Sequence, residues 1–476
     1  GCVEKQAKTS RGISPVENLE ERVESLLKKM TIEEKTGQMN QVSSRWEMTG
    51  PVPGGDENTV LQDIKSGRVG SMLNVVGARA TLEAQKLAVE NSRLGIPMIF
   101  GYDVVHGFRT IFPIPLAEAA SWDPEAVRKS SAVAAREAAA SGLHWTFAPV
   151  LDISRDARWG RVMEGSGEDP YLVSVLAAAR ICGFQGDDLA STETIAACAK
   201  HFAAYGFAES GREYNSADIS ETTLREVVLP PFRAAADAGV ATFMNAFNTI
   251  GGVPATAHHH LLREILKGEW NFDGFVVSDF GSIQELVNHG VASDKTEAGL
   301  MAVRAGTDMD LEGTCYIGLV EKVKSGELDE KLIDDAVRRI LRVKFRLGLF
   351  DDPYRYSDPV REINTLLSHE NLAVSRDMAR KSIVLLKNDR NLLPLKKSGH
   401  KILVIGELAE SKDVPLGSWR ASAIPNSAVS LLEGIRQAVA VSGMVSFAKG
   451  PVYVVGQRTF TKELSFNLTD RKGIPE

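Results

Sequence analysis

Residues 195–247 read IAACAKHFAAYGFAESGREYNSADISETTLREVVLPPFRAAADAGVATFMNAF, with an apolar segment at each end and a long polar and amphipathic stretch between them. The segments 195–204 and 240–247 are mostly apolar without regular alternation, which is typical of strands buried on both faces. The stretch between them, 221–239, is amphipathic and ends on Gly239, which suits a helix C-cap. This order predicts two parallel strands joined by a crossover helix.

The same alternation extends in both directions along the chain. Further apolar segments lie at 71–76, 97–105, 144–153, 272–280 and 305–311, and a first strand is predicted near 37–42. Eight strands separated by helices over roughly 300 residues predict a closed (β/α)8 barrel. An open doubly wound sheet would carry a glycine-rich phosphate loop after its first strand, and the sequence shows none.

The pattern changes after the barrel, so the sequence predicts four segments. A polar tether at 1–18 precedes a catalytic barrel over 19–350, and the charged, proline-containing stretch 351–380 is interpreted as a linker. The apolar segments SIVLLKND and KILVIGELAE then begin a second α/β unit over 381–476. The predicted fold class is α/β: a TIM-like barrel followed by an incomplete α/β sandwich domain.

Composition and charge exclude several classes of protein. The 55 Lys and Arg residues against 62 Asp and Glu residues give a net charge of −7 without a basic stripe, which argues against a nucleic-acid partner. No apolar run reaches the ~18 residues that cross a bilayer. Cys182, Cys198 and Cys315 are interpreted as buried hydrophobic residues, and adjacent His258, His259 and His260 would point in different directions. Nothing indicates an organic cofactor or a catalytic metal.

The start of the chain carries a separate signal. Gly1 and Cys2 precede a polar stretch and resemble the stub of a bacterial lipoprotein leader, whose cysteine receives lipid. This interpretation predicts a lipid anchor at Cys2 and a periplasmic or outer-membrane-anchored protein. The alternative, an arbitrary start of the chain, stays open.

Polar residues follow the predicted barrel strands, where the reactive side chains of such barrels belong. These residues are Asp103, Arg155, Asp156, Arg161, Lys200, His201, Met244, Asn245 and Asp279. One such residue alone could be a solvated strand end, but five strands that end in this way predict a site. The charges suit a neutral, polyhydroxylated ligand, because Asp103 can accept from neighbouring hydroxyls while Lys200 and Arg161 donate to others.

Asp279 is the best candidate for a nucleophile. It ends the uniformly apolar strand GFVVS and is followed by Phe280, an aromatic platform, and by Gly281. A carboxylate that attacks an anomeric carbon forms a covalent glycosyl-enzyme, and the nearby Lys200 would help to keep it ionised. The alternative is a helix N-cap, since DFGSIQEL could begin a helix near Asp279.

The motifs GYDVVHG, DISRDARWGRVMEGSGEDPYL, KHFAAYG, GREYNSADIS, MNAFNTIGGVPA, GFVVSDFGSI and LLKNDRNLLPL together resemble glycoside hydrolase family three. The resemblance is closer to its bacterial periplasmic β-glucosidase branch and covers nearly the whole chain. It implies that Asp279 is the catalytic nucleophile. It also implies a substrate pocket formed by Asp103, Arg161, Lys200, His201, Met244 and Phe280. Phe280 stands where relatives often have tryptophan, and Phe247 where many have tyrosine.

The resemblance also implies that one catalytic group is missing. In the glucosidase branch the general acid/base is a glutamate on a later loop of the second domain, and Glu407 and Glu410 lie too early for it. We therefore expect the general acid/base to be absent from these 476 residues. Without it, an activated aryl glucoside should be cleaved slowly and natural disaccharides hardly at all.

The leading interpretation is an exo-acting, retaining β-glucosidase acting on small glycosides or oligosaccharides. Two alternatives stay open: a catalytically impaired sugar-binding barrel, and a β-xylosidase of the same family. The sequence predicts neither the preferred linkage nor the oligomeric state.

Overall fold

The structure is a computed structural model that describes residues 15–44, 57–399, 401–439 and 444–450. The predicted lipid-anchor residue, Cys2, lies outside the described residues. The chain divides into two compact units. The first comprises Gly1–Val384 together with Gly417–Ala423, and the second comprises Leu385–Leu416 and Ile424–Glu476.

The first unit is built on eight short parallel strands. In chain order these are β1 (Asn40–Ser43), β2 (Ser71–Leu73), β3 (Ile99–Tyr102), β4 (Trp145–Thr146), β5 (Cys198–Phe202), β6 (Thr242–Asn245), β7 (Phe275–Val277) and β8 (Asp310–Leu311). Each falls within or overlaps a segment that the sequence predicts. The strand content of the barrel is therefore confirmed.

Pairing closes these strands into a ring. One sheet has the order β8, β1, β2, β3, β4 and the other the order β5, β6, β7. Single parallel bridges join Trp145 of β4 to Ala196, and Val277 of β7 to Met309. Because Ala196 lies two residues before β5 and Met309 one residue before β8, the two sheets meet at both edges and form the predicted barrel.

Helices precede the first strand, lie between most of the barrel strands and continue along the chain after the last one. They are α1 (Pro15–Leu27), α2 (Ile32–Gln38), α3 (Glu57–Lys65), α4 (Ala78–Asn91), α5 (Pro115–Ala119), α6 (Pro124–Ala140), α7 (Pro170–Gln185), α8 (Glu221–Thr223), α9 (Leu229–Asp237), α10 (Glu285–Asn288), α11 (Lys295–Ala305), α12 (Leu319–Lys324), α13 (Glu330–Arg346), α14 (Pro359–Thr365), α15 (His369–Lys381) and α16 (Leu431–Ala438). There are also two π-helices, Leu224–Val228 and His260–Glu269, and short 3-10 helices such as Val162–Glu164 and Tyr205–Phe207.

Local sequence explains where these helices begin. The Thr31 side chain caps α2 by accepting from the Glu34 backbone N–H. The Glu34 carboxylate accepts from the Thr31 N–H, and the two bonds form a capping box. The Asp169 side chain accepts from the backbone of Leu172, and Pro170 occupies the first turn of α7. Such caps satisfy N–H groups that have no partner within the helix.

Aromatic rings fill the interior of the barrel. Trp145 packs edge-on against Phe147 and Phe275, and its indole N–H donates to Thr242 Oγ1 at 2.8 Å. Gly101 on β3 makes room for them, since a Cβ atom there would lie 2.9 Å from Phe147. The barrel centre is thus a packed core, and the strand ends are left for chemistry.

Residues 351–380, which the sequence presents as a linker, contain α14 and most of α15. Both helices contact α6 and belong to the first unit. Met378 of α15 is buried in a small cluster with Phe112 and Val133. The apolar positions of this stretch therefore extend the barrel unit.

The second unit is described over 385–399, 401–416, 424–439 and 444–450. Strands β9 (Ile402–Ile405) and β10 (Val445–Ala448) form a parallel pair, and α16 contacts β10. Large apolar side chains are exposed here, among them Leu403, Ile405 and Leu431. Exposed apolar surface of this kind favours association. Among the described residues, no helix has both the length and the apolar character needed to span a bilayer.

Candidate active site

The ends of β3, β5 and β7 bring together most of the predicted charged residues. Asp103 directly follows β3, Lys200 and His201 lie within β5, and Asp279 follows β7 by one residue. These residues are far apart in sequence and are joined by contacts in the structure. Parallel strands deliver their carboxyl ends to one rim of the barrel, which explains the convergence.

Lys200 and Asp103 form a buried ion pair. Lys200 Nζ donates to Asp103 Oδ1 at 3.0 Å, and the two side chains are only 4% and 9% exposed. Removing one partner of such a pair would leave the other charge buried without compensation, which is strongly destabilising. The fold therefore holds an ammonium and a carboxylate in fixed positions, ready to bind hydroxyl groups.

Asp279 is nearly buried and retains an oxygen without a hydrogen bond. Its Oδ1 accepts from the backbone N–H of Phe280 at 2.7 Å. Its Oδ2 lies 3.4 Å from His201 Nε2 and has no hydrogen-bond partner among the described residues. The helix-cap alternative does not hold, because α10 begins at Glu285 with Gln284 at the N-cap position. Buried polar atoms are normally satisfied, so an orphaned carboxylate oxygen at a strand end points to a ligand.

His201 is oriented by a residue that the sequence analysis did not single out. Its Nδ1 lies 2.7 Å from Asp152 Oδ2, and its backbone N–H donates to the same oxygen at 3.0 Å. Burial lowers the pKa of His201 well below its usual range, and the charges of Arg161 and Lys200 add to this effect. Burial also raises the pKa of Asp152 to about 7. The Nε2 atom of His201 is thereby directed at Asp279.

Arg161 supplies a second cation beside the nucleophile candidate. Its guanidinium binds Glu164 through Nε and Nη2 at 2.9 Å and 2.8 Å, a bidentate geometry that fixes the planar group. It also lies over the ring of Tyr205, 5.7 Å from the ring centroid. Tyr205 in turn donates to Glu213. Sequence reasoning found Arg161 but missed Glu164 and Tyr205, which hold it in place.

Burial raises the pKa of Asp279 to about 6, against the lowering effect of the Lys200 and Arg161 charges. A second carboxyl, that of Glu285, has its pKa raised to about 7 by burial and by the charge of Asp279. Sequence reasoning missed Glu285 because it is the first residue of α10 and does not directly follow a predicted strand. Two perturbed carboxyl groups in one region are characteristic of functional sites.

Trp419 also contacts the site, although it lies more than 130 residues after Asp279 in the chain. It is part of Gly417–Ala423, the short segment that belongs to the barrel unit. The Lys200 ammonium lies 5.6 Å and the Arg161 guanidinium 5.8 Å from the centroid of its ring. No local sequence signal identifies this residue, because only the fold brings it to the two cations.

The structure places the two remaining predicted pocket residues among apolar neighbours. Met244 is buried on β6 and pairs in register with Val277 of β7. Phe280 is half-buried and packs against the main hydrophobic core. Among the described residues, no group of three or more His, Cys, Asp or Glu side chains could hold a metal ion.

Comparison with known proteins agrees with this geometry. The family model described as the glycosyl hydrolase family 3 N terminal domain matches residues 31–343, and the model of the family's C-terminal domain matches residues 383–467. The chain belongs to glycosyl hydrolase family 3. The resemblance inferred from the motifs and the α/β fold with an N-terminal barrel are thereby confirmed.

Three relatives illustrate the similarity to this family. A periplasmic beta-glucosidase of Salmonella typhimurium is 43% identical over 95% of this chain and 57% of its own length. A putative beta-xylosidase of Formosa agariphila is 35% identical over 96% of this chain and 65% of its own length. The crystal structure of a beta-glucosidase from Listeria innocua in complex with glucose is 38% identical, with a TM-score of 0.83, covering 95% of this chain and 63% of that one. The chain thus spans about three fifths of the length of these relatives.

Proposed function

We propose that this protein hydrolyses terminal, non-reducing β-D-glucosyl residues of β-glucosides or oligosaccharides. The observation that carries the proposal is the buried Asp279 carboxylate, whose Oδ2 has no hydrogen-bond partner among the described residues and faces His201. The beta-glucosidase relatives, including one bound to glucose, support the choice of sugar. Covalent trapping with a 2-deoxy-2-fluoro β-glucoside, which should label Asp279, tests this proposal.

The proposed reaction is a double displacement. Asp279 Oδ2 attacks the anomeric carbon and forms a new carbon–oxygen bond, while the bond from that carbon to the aglycone oxygen breaks. The aglycone oxygen departs as an anion when the leaving group is a sufficiently acidic alcohol or phenol, and otherwise takes up a proton as it leaves. Water then attacks the same carbon, releases glucose and a proton, and returns the carboxylate of Asp279. Configuration at the anomeric carbon is retained because it is inverted twice.

The neighbouring side chains hold the sugar in the proposed complex. Asp103 accepts from two hydroxyl groups, and Lys200 and Arg161 donate to sugar oxygens. His201 Nε2 serves a further hydroxyl beside the reacting carbon. Met244 and Phe280 complete the apolar lining of the pocket, as the sequence predicts, and the Trp419 ring adds an aromatic wall.

We expect substrates with good leaving groups to be strongly preferred. The carboxylates of the site that contact its cations, Asp103 and Glu164, already form ion pairs with Lys200 and Arg161. Without general acid catalysis, a substrate that needs protonation loses about 10²–10⁴-fold in rate. The kcat/KM for nitrophenyl β-glucoside should exceed that for cellobiose by about this factor.

Comparable kcat/KM values for the two substrates would contradict this preference. Glu285→Gln is the informative variant, because the pKa of the Glu285 carboxyl is raised to about 7 and this group can therefore donate a proton near neutral pH. If Glu285 donates the proton, this change will lower cellobiose hydrolysis and spare the aryl glucoside. Nitrophenyl β-xyloside, measured in parallel, tests the xylosidase alternative.

The raised pKa of Asp279 predicts the acid limb of the pH profile. The nucleophile must be ionised, so activity should fall as the pH drops through about 6, the pKa of the folded-state carboxyl. Below that limb kcat/KM for nitrophenyl glucoside should decrease about tenfold per pH unit. Profiles measured from pH 4 to 7.5 test this, and a midpoint near 4 would show that Asp279 is not the titrating group.

We further propose a periplasmic location. The support is the periplasmic beta-glucosidase relative. A lipid anchor at Cys2, which would attach the protein to the outer membrane, remains part of this proposal and rests on the Gly1-Cys2 sequence alone.

A further inference from the structure

The segment Gly417–Ala423, here called the strap, leaves its sequence neighbours to join the barrel unit. The residues before it, Leu385–Leu416, and after it, Ile424–Glu476, belong to the second unit. A strap of seven residues has little core of its own, so its place on the barrel depends on specific contacts.

Two side chains of one barrel loop bind the backbone of the strap. His106 Nε2 contacts the carbonyl oxygen of Ser418 at 2.6 Å, and Arg109 Nη1 donates to the carbonyl oxygen of Ser422, also at 2.6 Å. Both residues follow Asp103 on the loop after β3. The two bound carbonyls lie before and after Trp419 in the sequence. His106 and Arg109, here called the clasp, therefore hold the strap on both sides of this residue.

The loop that carries the clasp is itself firmly held. The buried Glu137 of α6 accepts from the backbone N–H groups of Arg109 and Thr110 at 3.0 Å and 2.7 Å, and from Thr110 Oγ1 at 2.7 Å. His106 Nδ1 contacts Phe112 O at 2.8 Å. A carboxylate that accepts three hydrogen bonds fixes a loop strongly. The loop that carries His106 and Arg109 is therefore fixed, and the two side chains can hold the strap in one position.

Trp419 has a backbone conformation that needs such support. Its φ is 52°, in the left-handed region, and Ala421 in the same strap has a φ of 45°. Residues other than glycine remain in this region only when the surrounding structure over-determines them. Here the clasp supplies that constraint, and the result is that the ring faces Lys200 and Arg161.

We propose that His106 and Arg109 are positioning residues that hold the strap so that Trp419 forms one wall of the sugar pocket. This inference deepens the proposed function and rests on it for its catalytic consequence. The clasp acts through Trp419 and touches no reacting atom. Its loss should therefore weaken substrate binding and leave the chemical step nearly unchanged.

The first test does not depend on activity. Arg420 lies in the strap, so trypsin can cleave after it once the strap is released. We expect cleavage at this bond, identified by the masses of the fragments, to become about tenfold faster or more in Arg109→Ala, because a hydrogen bond to a charged group is lost. Arg109→Lys, which can still donate to Ser422 O, should restore most of the protection.

Arg93→Ala is the matched control. Arg93 also donates to a backbone carbonyl, that of Lys29 at 2.8 Å, but it lies before β3 and therefore at the opposite end of the barrel. This variant should leave cleavage after Arg420 unchanged. Equal cleavage in the parent, Arg109→Ala and His106→Ala proteins would overturn the clasp.

The second test separates a positioning role from a general structural one. Arg109→Ala should raise KM for nitrophenyl glucoside about fivefold to tenfold with less than about a twofold change in kcat, as expected for lost uniform binding. The effect should disappear in a Trp419→Ala background, because both changes remove the same wall. Additive effects would show that Arg109 does not act through Trp419. If the parent protein is inactive, the proposed function fails while the trypsin result still decides the clasp.

Discussion

Asp279→Asn is expected to lower kcat for nitrophenyl glucoside by about 10⁴-fold or more, because it removes the proposed nucleophile. The amide nitrogen and oxygen fill the same space but cannot attack the anomeric carbon. The remaining pocket should still bind glucose, since Lys200, Asp103 and Arg161 are unchanged. Steady-state kinetics together with glucose titration by calorimetry measure both quantities.

The stability of the same variant provides the control. A carboxyl whose pKa rises from 3.8 to about 6 on folding binds its proton more tightly in the folded state, so stability is lost as the pH rises from about 4 to 6. Asparagine has no such cost. We expect Asp279→Asn to be more stable than the parent at pH 7, by up to about 3 kcal/mol, and equally stable near pH 3.5. Inactivity combined with lower stability at pH 7 would mean that the substitution damages the fold.

Lys200→Met is expected to have the second largest effect. It removes a proposed donor to the sugar and should reduce kcat/KM by about 10²–10³-fold. It also leaves Asp103 buried without its cation, which costs about 3–5 kcal/mol of folding free energy. Lys200 is the strongest influence that lowers the pKa of Asp279, so the acid limb of any residual activity should move to higher pH.

Two comparisons separate these consequences. Lys200→Met combined with Asp103→Asn removes both charges, so stability should largely recover while activity stays low. Lys267→Met breaks another buried pair, with Asp308 at 2.6 Å, at a place that the proposed mechanism does not use. It should cost similar stability, and the folded fraction should keep the parent kcat. An active Lys200→Met protein with an unshifted pH profile would exclude Lys200 from the site.

The barrel could be predicted because its strands are unusually uniform. GFVVS and IAACA are apolar without alternation, and only strands buried on both faces are so. The predicted strand boundaries placed Asp103, Lys200 and Asp279 at strand ends. The parallel strands of a barrel bring such ends to one rim, so these residues were expected to lie together. The structure adds distances and partners to this prediction, and the catalytic roles of these residues remain proposals.

The residues that sequence reasoning missed share a physical cause. Asp152 and Glu164 act on His201 and Arg161, and nothing in the local sequence distinguishes a supporting carboxylate from a solvated one. Trp419 reaches the site only because its strap leaves the second unit. Residues 351–380 appeared linker-like because the stretch contains two prolines and several charged residues, although Tyr356 and Met378 are buried. The place of these residues depends on contacts between distant parts of the chain. The local pattern of apolar and polar residues does not predict such contacts.

Covalent trapping identifies the side chain that attacks the sugar. The protein is incubated with a 2-deoxy-2-fluoro β-glucoside that carries an activated leaving group, digested, and analysed by peptide mass spectrometry. We predict one fluoroglucosyl group per chain, located on Asp279, and none in the Asp279→Asn protein. A label on another carboxylate such as Glu285, or binding of the inhibitor without any adduct, would contradict the proposal that Asp279 is the nucleophile.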